Sequence, residues 1–83
     1  MKSKLNGKVA LVTGASRGIG RAIAGRLARD GAAVVINYAR AAAEADQLKQ
    51  EIESAGGRAL AVQGDVGQVN DVVRLFDETL AHF

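Results

Sequence analysis

Apolar positions along the chain follow two alternating rhythms, short unbroken runs and stripes at helical spacing. Val9-Ala-Leu-Val-Thr13 is a β-branched-rich run between Lys8 and Gly14, the pattern of a strand covered on both faces. Ala32-Ala-Val-Val-Ile-Asn37 and Ala59-Leu-Ala-Val-Gln63 repeat it. Between the first two runs, Ile19, Ile23 and Leu27 recur at every fourth position, with Ala22, Ala24 and Ala28 beside them and Gly31 as a C-terminal stop. From about Ala41 to Ala55, the residues Ala45, Leu48, Ile52 and Ala55 share a helical face, with Glu44, Gln47, Lys49, Glu51 and Glu53 on the rest, and Gly56-Gly57 ends the segment. From about Gln68 a third stripe joins Val69, Val72, Val73, Phe76, Leu80 and Phe83.

The order is β-α-β-α-β-α with short links and no proline. Apolar strands alternating with helices imply right-handed crossovers and a parallel sheet. The expected fold is α/β, half of a doubly wound sheet with strand order 3-2-1. In that arrangement the first two helices cover one face and the third crosses the other. The first strand is left with an open edge, which predicts self-association into a homo-oligomer.

Composition narrows the class. At 83 residues, 48% hydrophobic and 24% charged, the chain is globular in character and long enough for one small domain. It has no cysteine and a single histidine, His82, which excludes a disulfide framework, and a zinc centre built from thiolates or imidazoles alone. No metal site is expected. No apolar stretch approaches the ~20 residues of a membrane span, and Met1-Lys-Ser-Lys-Leu5 has no leader-like core. These features predict a soluble cytoplasmic protein with no membrane partner. Residues 1–43 hold eight basic groups against Asp30 alone, while residues 44–83 hold three against eight acidic ones. A basic half suggests an anionic partner. With one tyrosine, two phenylalanines and no dense basic run, nucleic acid is not the expected one.

The anion has an obvious place to bind. Thr13-Gly14-Ala15-Ser16-Arg17-Gly18-Ile19-Gly20 lies directly between the first strand and the first helix. Such a turn aims free helix N–H groups, and the positive end of the helix dipole, above the carboxyl edge of the sheet. Gly14 and Gly18 permit a tight turn and close approach of a pyrophosphate, and Gly20 lets the helix start pack against the strand without a Cβ. The spacing Gly-x-x-x-Gly-x-Gly differs from G-x-G-x-x-G, and no Gly-Lys-Ser/Thr follows to make a triphosphate loop. At the end of the second strand, a carboxylate would accept a ribose 2′-hydroxyl and repel a 2′-phosphate. Asn37 stands there, followed by Tyr38-Ala39-Arg40. Arg17 and Arg40 are suited to a 2′-phosphate, which favours NADP(H) over NAD(H). The competing reading of both arginines is ordinary solvated charge.

Together these residues resemble the short-chain dehydrogenase/reductase family. Thr13-Gly14-x-x-x-Gly18-x-Gly20 is similar to its cofactor motif, and Ala15-Ser16-Arg17 and Asn37-Tyr38-Ala39-Arg40 to its NADP-preferring members. Gly64-Asp65-Val66 resembles its adenine-contacting Asp-Val pair. The likeness runs from Leu5 to Phe83 and is closest to bacterial 3-oxoacyl-carrier-protein reductases. It implies that Gly14, Ser16, Arg17, Gly18, Ile19 and Gly20 line the pyrophosphate and 2′-phosphate. It also implies that Asn37, Tyr38, Ala39 and Arg40 surround the adenosine ribose, with Asp65 and Val66 at the adenine. Read without it, Asp65 is a carboxylate suited to the start of the last helix, and Tyr38 an aromatic at the sheet edge.

The family's Asn-Asn-Ala-Gly segment, catalytic Ser and Tyr-x-x-x-Lys pair have no counterpart in the sequence. Four residues after Tyr38 stands Ala42, so Tyr38 does not head such a pair, and no catalytic residue is assigned. The resemblance therefore implies that residues 1–83 are a partial NAD(P)-binding Rossmann domain, the N-terminal portion of a longer oxidoreductase. Such an enzyme transfers hydride between the cofactor and a carbonyl or alcohol substrate. The alternative is a non-enzymatic half-domain that binds nucleotide or assembles with itself.

Overall fold

The three apolar runs form strands β1 (Val9–Val12), β2 (Ala33–Tyr38) and β3 (Arg58–Gln63), and the stripes form helices α1 (Gly18–Arg29), α2 (Ala42–Ser54) and α3 (Val69–His82). They are seen in a computed structural model that describes residues 5–83, so Lys2 and Lys4 of the basic half lie outside the described residues. All strands are parallel and lie in the order β1-β2-β3, the arrangement expected from the pattern. Val9 sits opposite Ala33 and Val12 opposite Ile36, so β2 runs two residues beyond β1. The chain leaving β1 therefore turns beside Asn37.

Alternation along β2 divides the core. Val34 and Ile36 face α1 and α2 and pack with Ala24, Ala45, Leu48 and Ile52. Val35 faces the other way and packs with Val62 of β3 and Leu75 of α3. Successive right-handed crossovers in one direction put α1 and α2 on the same face, and the crossing after β3 puts α3 on the opposite one. Full burial of each of the largest core side chains, Ile36, Leu75, Val34 and Val35, is worth about 1.5–3 kcal/mol.

Three details depart from the sequence pattern. Only β2 is covered on both faces; β1 is an edge strand with Val9 exposed and its other residues half-buried. In α1 the buried position is Ala24, with Leu27 and Ala28 packed beside it, while Ile19 and Ile23 are exposed. Small residues at the contact let α1 lie close to the sheet, which turns the larger isoleucines outward. In α3 the buried residue is Leu75, and Val69, Val73, Phe76 and Leu80 of the expected stripe face solvent. A lone helix on a narrow sheet needs only one line of contact, so its wider apolar arc remains uncovered.

Candidate functional site

The β1–α1 turn, the end of β2 and the β3–α3 loop meet at the carboxyl edge of the sheet, and Asn37 ties them together. It is 2% exposed. Its Oδ1 accepts from the Gly14 N–H at 3.4 Å, and its backbone oxygen accepts from the Ala15 N–H at 3.0 Å. Its Nδ2 donates to the Val62 and Gly64 carbonyls at 3.4 and 3.1 Å. One buried amide thus uses both its donor and acceptor faces to register the ends of all three strands. The side chain expected near the ribose is engaged within the protein, where it fixes the turn.

The turn is shaped by its glycines. Gly14 and Gly18 have φ of +60° and +59°, and a Cβ on either would project into open space. A Cβ on Gly20 would instead run into the Gly14 carbonyl oxygen. The close approach at Gly20 is therefore to the turn, not to the strand as expected, because the chain doubles back over Gly14 before α1 begins. Ala15 and Ser16 are buried beneath it.

Helix α1 begins after Arg17, which has an extended backbone and makes no side-chain cap. There is no acidic residue in the first turn of α1 either. The first N–H groups of a helix have no intrahelical acceptor, and the aligned peptides place roughly half a positive charge at that end. Gly18, Ile19 and Gly20 thus present an uncompensated positive terminus, with Ile19 largely exposed beside it.

The arginines differ in their surroundings. Arg17 donates from Nε to Glu44 Oε2 of α2 at 3.1 Å and forms an ion pair with the same oxygen through Nη2 at 3.0 Å, with its side chain 74% exposed. Arg40 is exposed and, among the described residues, takes part in no ion pair. Tyr38 packs half-buried against the core on the α1–α2 side. Its backbone oxygen accepts from the Gly64 N–H at 2.9 Å, and the Ala39 oxygen accepts from Gln63 Nε2 at 3.1 Å.

In the β3–α3 loop Asp65 and Val66 are both exposed. Asp65 Oδ1 accepts from the Gly67 N–H at 2.8 Å, and the Asp65 N–H donates to Asp71 Oδ2 at 2.9 Å. This holds the loop against the start of α3. Glu44 is the site neighbour that the sequence pattern did not single out. The pattern put it on the outer surface of α2, and 27 residues separate it from Arg17.

These features fit a dinucleotide. The open space before Gly14 and Gly18 is the room a pyrophosphate needs, the α1 terminus supplies donors, and Arg17 stands in the turn while exposed Arg40 follows two residues after β2. A groove of about 750 Å³ between α1 and α2, lined by Gly25, Arg29, Leu48 and Arg58 among others, contains none of the candidate residues. Among the described residues, no three His, Asp or Glu side chains converge as a metal site would require, and no helix is long and apolar enough to cross a membrane.

A parallel β-α-β-α-β-α sheet with this glycine turn at its carboxyl edge defines a Rossmann-like half of a doubly wound α/β protein. The family model for short chain dehydrogenases matches residues 8–83, and the chain belongs to that family. Over 81 residues it is 53% identical to a probable tetrahydroxynaphthalene reductase of Zymoseptoria tritici, covering 98% of this chain and 30% of that one. A dehydrogenase/reductase of Sinorhizobium meliloti superposes with a TM-score of 0.93 at 47% identity, covering 98% of this chain and 32% of the other. The landomycin C-6 ketoreductase LanV, solved with bound NADP and rabelomycin, superposes at 0.84 with 51% identity, covering 90% and 31%. The chain spans about a third of the length of the proteins it matches.

Proposed function

We propose that this chain is the NADP(H)-binding N-terminal portion of an oxidoreductase of the short-chain dehydrogenase family. The observation that carries the reading is the uncapped start of α1 beside an open glycine turn that holds Arg17, with a buried amide in place of a carboxylate at the end of β2 and exposed Arg40 just past it. The N–H groups at Gly18, Ile19 and Gly20 would hold the pyrophosphate, with Gly14 and Ser16 shaping the turn beneath it. Arg17 and Arg40 would hold the 2′-phosphate, Tyr38 and Ala39 would border the ribose, and Asp65 and Val66 the adenine. Asn37 contributes by fixing the turn. When bound, such a cofactor exchanges hydride with a carbonyl or alcohol carbon. These residues bind and orient it, and a proton donor for the substrate oxygen comes from outside residues 1–83. The bound NADP of the ketoreductase, and the reductase names of the relatives, support this reading.

Titration of NADPH and NADH, followed by cofactor fluorescence, tests it. NADPH is expected to bind more tightly, and Arg17→Ala or Arg40→Ala to weaken NADPH alone by about tenfold or more, as the loss of a charge-assisted phosphate contact implies. Equal affinity for both cofactors in the unmodified chain overturns the assignment.

A second reading, a non-enzymatic half-domain that binds nucleotide and assembles with itself, is favoured by the open edge of β1 and the exposed apolar side of α3. NADPH oxidation with a carbonyl substrate separates the classes. The 83 residues alone are expected to show none, and activity is expected once the longer chain supplies the chemistry. Under either reading the chain works in the cytoplasm as a homo-oligomer.

A further inference from the structure

The Arg17–Glu44 pair sits where a 2′-phosphate would be held, and it uses the groups that phosphate needs. Nε and Nη2 form one edge of the Arg17 guanidinium, and that edge faces a single oxygen, Glu44 Oε2, which accepts from Nε at 3.1 Å and lies 3.0 Å from Nη2 as an ion pair. That is the edge able to give two parallel hydrogen bonds to a phosphate. While the pair persists, this edge is unavailable.

Glu44 is also held in place. It lies in the first turn of α2, where a carboxylate complements the helix dipole. Its backbone oxygen accepts from Arg21 Nη1 at 3.1 Å, and Arg21 is itself anchored by Glu51 at 2.8 Å. Arg17 has no comparable second anchor among the described residues and is 74% exposed, so Arg17 is the partner that moves.

We infer that Glu44 is a specificity-determining residue that competes with the 2′-phosphate for Arg17 and weakens binding of the phosphorylated dinucleotide, leaving the unphosphorylated one unaffected. This rests on the reading that Arg17 recognises the 2′-phosphate. A solvent-exposed ion pair has modest strength, so its release corresponds to about a two- to fivefold change in affinity.

The test titrates NADPH and NADH into the full chain and its Glu44→Gln, Arg17→Ala, doubly substituted and Glu51→Gln variants, with far-UV circular dichroism confirming that each is folded. Glu44→Gln is expected to tighten NADPH two- to fivefold and leave NADH unchanged. The gain should vanish in the Arg17→Ala background. Glu51→Gln should leave both affinities unchanged.

An unchanged or weaker NADPH affinity in Glu44→Gln, with Arg17→Ala still losing NADPH selectivity, overturns the role of Glu44 alone. A gain that survives without Arg17, or one matched by Glu51→Gln, assigns the effect to through-space charge or to loosening of the α1–α2 seam and also overturns it. If Arg17→Ala and the unmodified chain bind both cofactors alike, the assignment of Arg17 fails, and the role of Glu44 fails with it.

Discussion

A methyl group on Gly20 would meet the Gly14 carbonyl oxygen, a backbone atom held by the same turn, whereas one on Gly14 would meet nothing. The two glycines are therefore required for different reasons, one for lack of room and the other for its positive φ. Gly20→Ala is expected to lower the unfolding free energy by about 1–3 kcal/mol through overpacking. Gly14→Ala is expected to cost about 1–2 kcal/mol as left-handed strain. Urea denaturation measures both, and NADPH affinity should fall in both because the turn moves. Asn37 shows why residue type and residue role are separate questions. The sequence identifies an amide where a carboxylate would exclude a 2′-phosphate, but the fold shows that amide buried and bonded to Gly14, Val62 and Gly64. An aspartate at 37 would present an acceptor to the Val62 and Gly64 carbonyls, so the choice of amide also serves the strand ends.

Among the elements, α3 depends on the fewest contacts. Leu75 alone is fully buried, against Val35 and Val62, while α1 and α2 share a broader core with β2. Arg74 adds a hydrogen bond to the Gln63 carbonyl and ion pairs with Asp71 and Glu78 on its own helix, all exposed and individually weak. Leu75→Ala is expected to cost about 2–5 kcal/mol, and Leu80→Ala, at a mostly exposed position, within about 0.5 kcal/mol. Thermal melts followed by circular dichroism distinguish them, since detachment of α3 removes helical signal. The element pattern itself was legible in the sequence, because β-branched runs and glycine stops act locally. The orientation of α1 and α3 was not, because periodicity marks an apolar arc but not which part of that arc meets the sheet, Ala24 in α1 and Leu75 in α3 being the buried positions.

For the molecule as a whole, the two oppositely charged halves of the sequence are laid against each other. Arg17 and Arg21 pair with Glu44 and Glu51, so part of the apparent charge separation is neutralised along the α1–α2 seam. Arg40, exposed just beyond β2, takes part in no ion pair among the described residues, and the same holds for Lys8, Arg29 and Arg58. The other consequence of the topology is exposure. Among the described residues β1 has a strand on one side only, and Val69, Val73, Phe76 and Leu80 lie on the outer side of α3. Self-association at micromolar concentration is expected, and Phe76→Glu with Leu80→Lys should shift the sedimentation profile toward monomer without loss of helicity. A monomer before substitution would count against an interface there.

The order of strands and helices, the parallel sheet and the glycine turn at its carboxyl edge follow from the sequence by itself, since each rests on local spacing and on backbone freedom at particular glycines. The family likeness was also carried by short motifs, Gly14 to Gly20 above all, and residues 8–83 match the family. Tertiary structure decided which face each helix buries, that Asn37 is a fastener between strand ends, and that Glu44 meets Arg17. Those outcomes depend on contacts between different elements, more than twenty positions apart for Asn37 with Gly14 and for Glu44 with Arg17, for which no local pattern in the chain provides a signal.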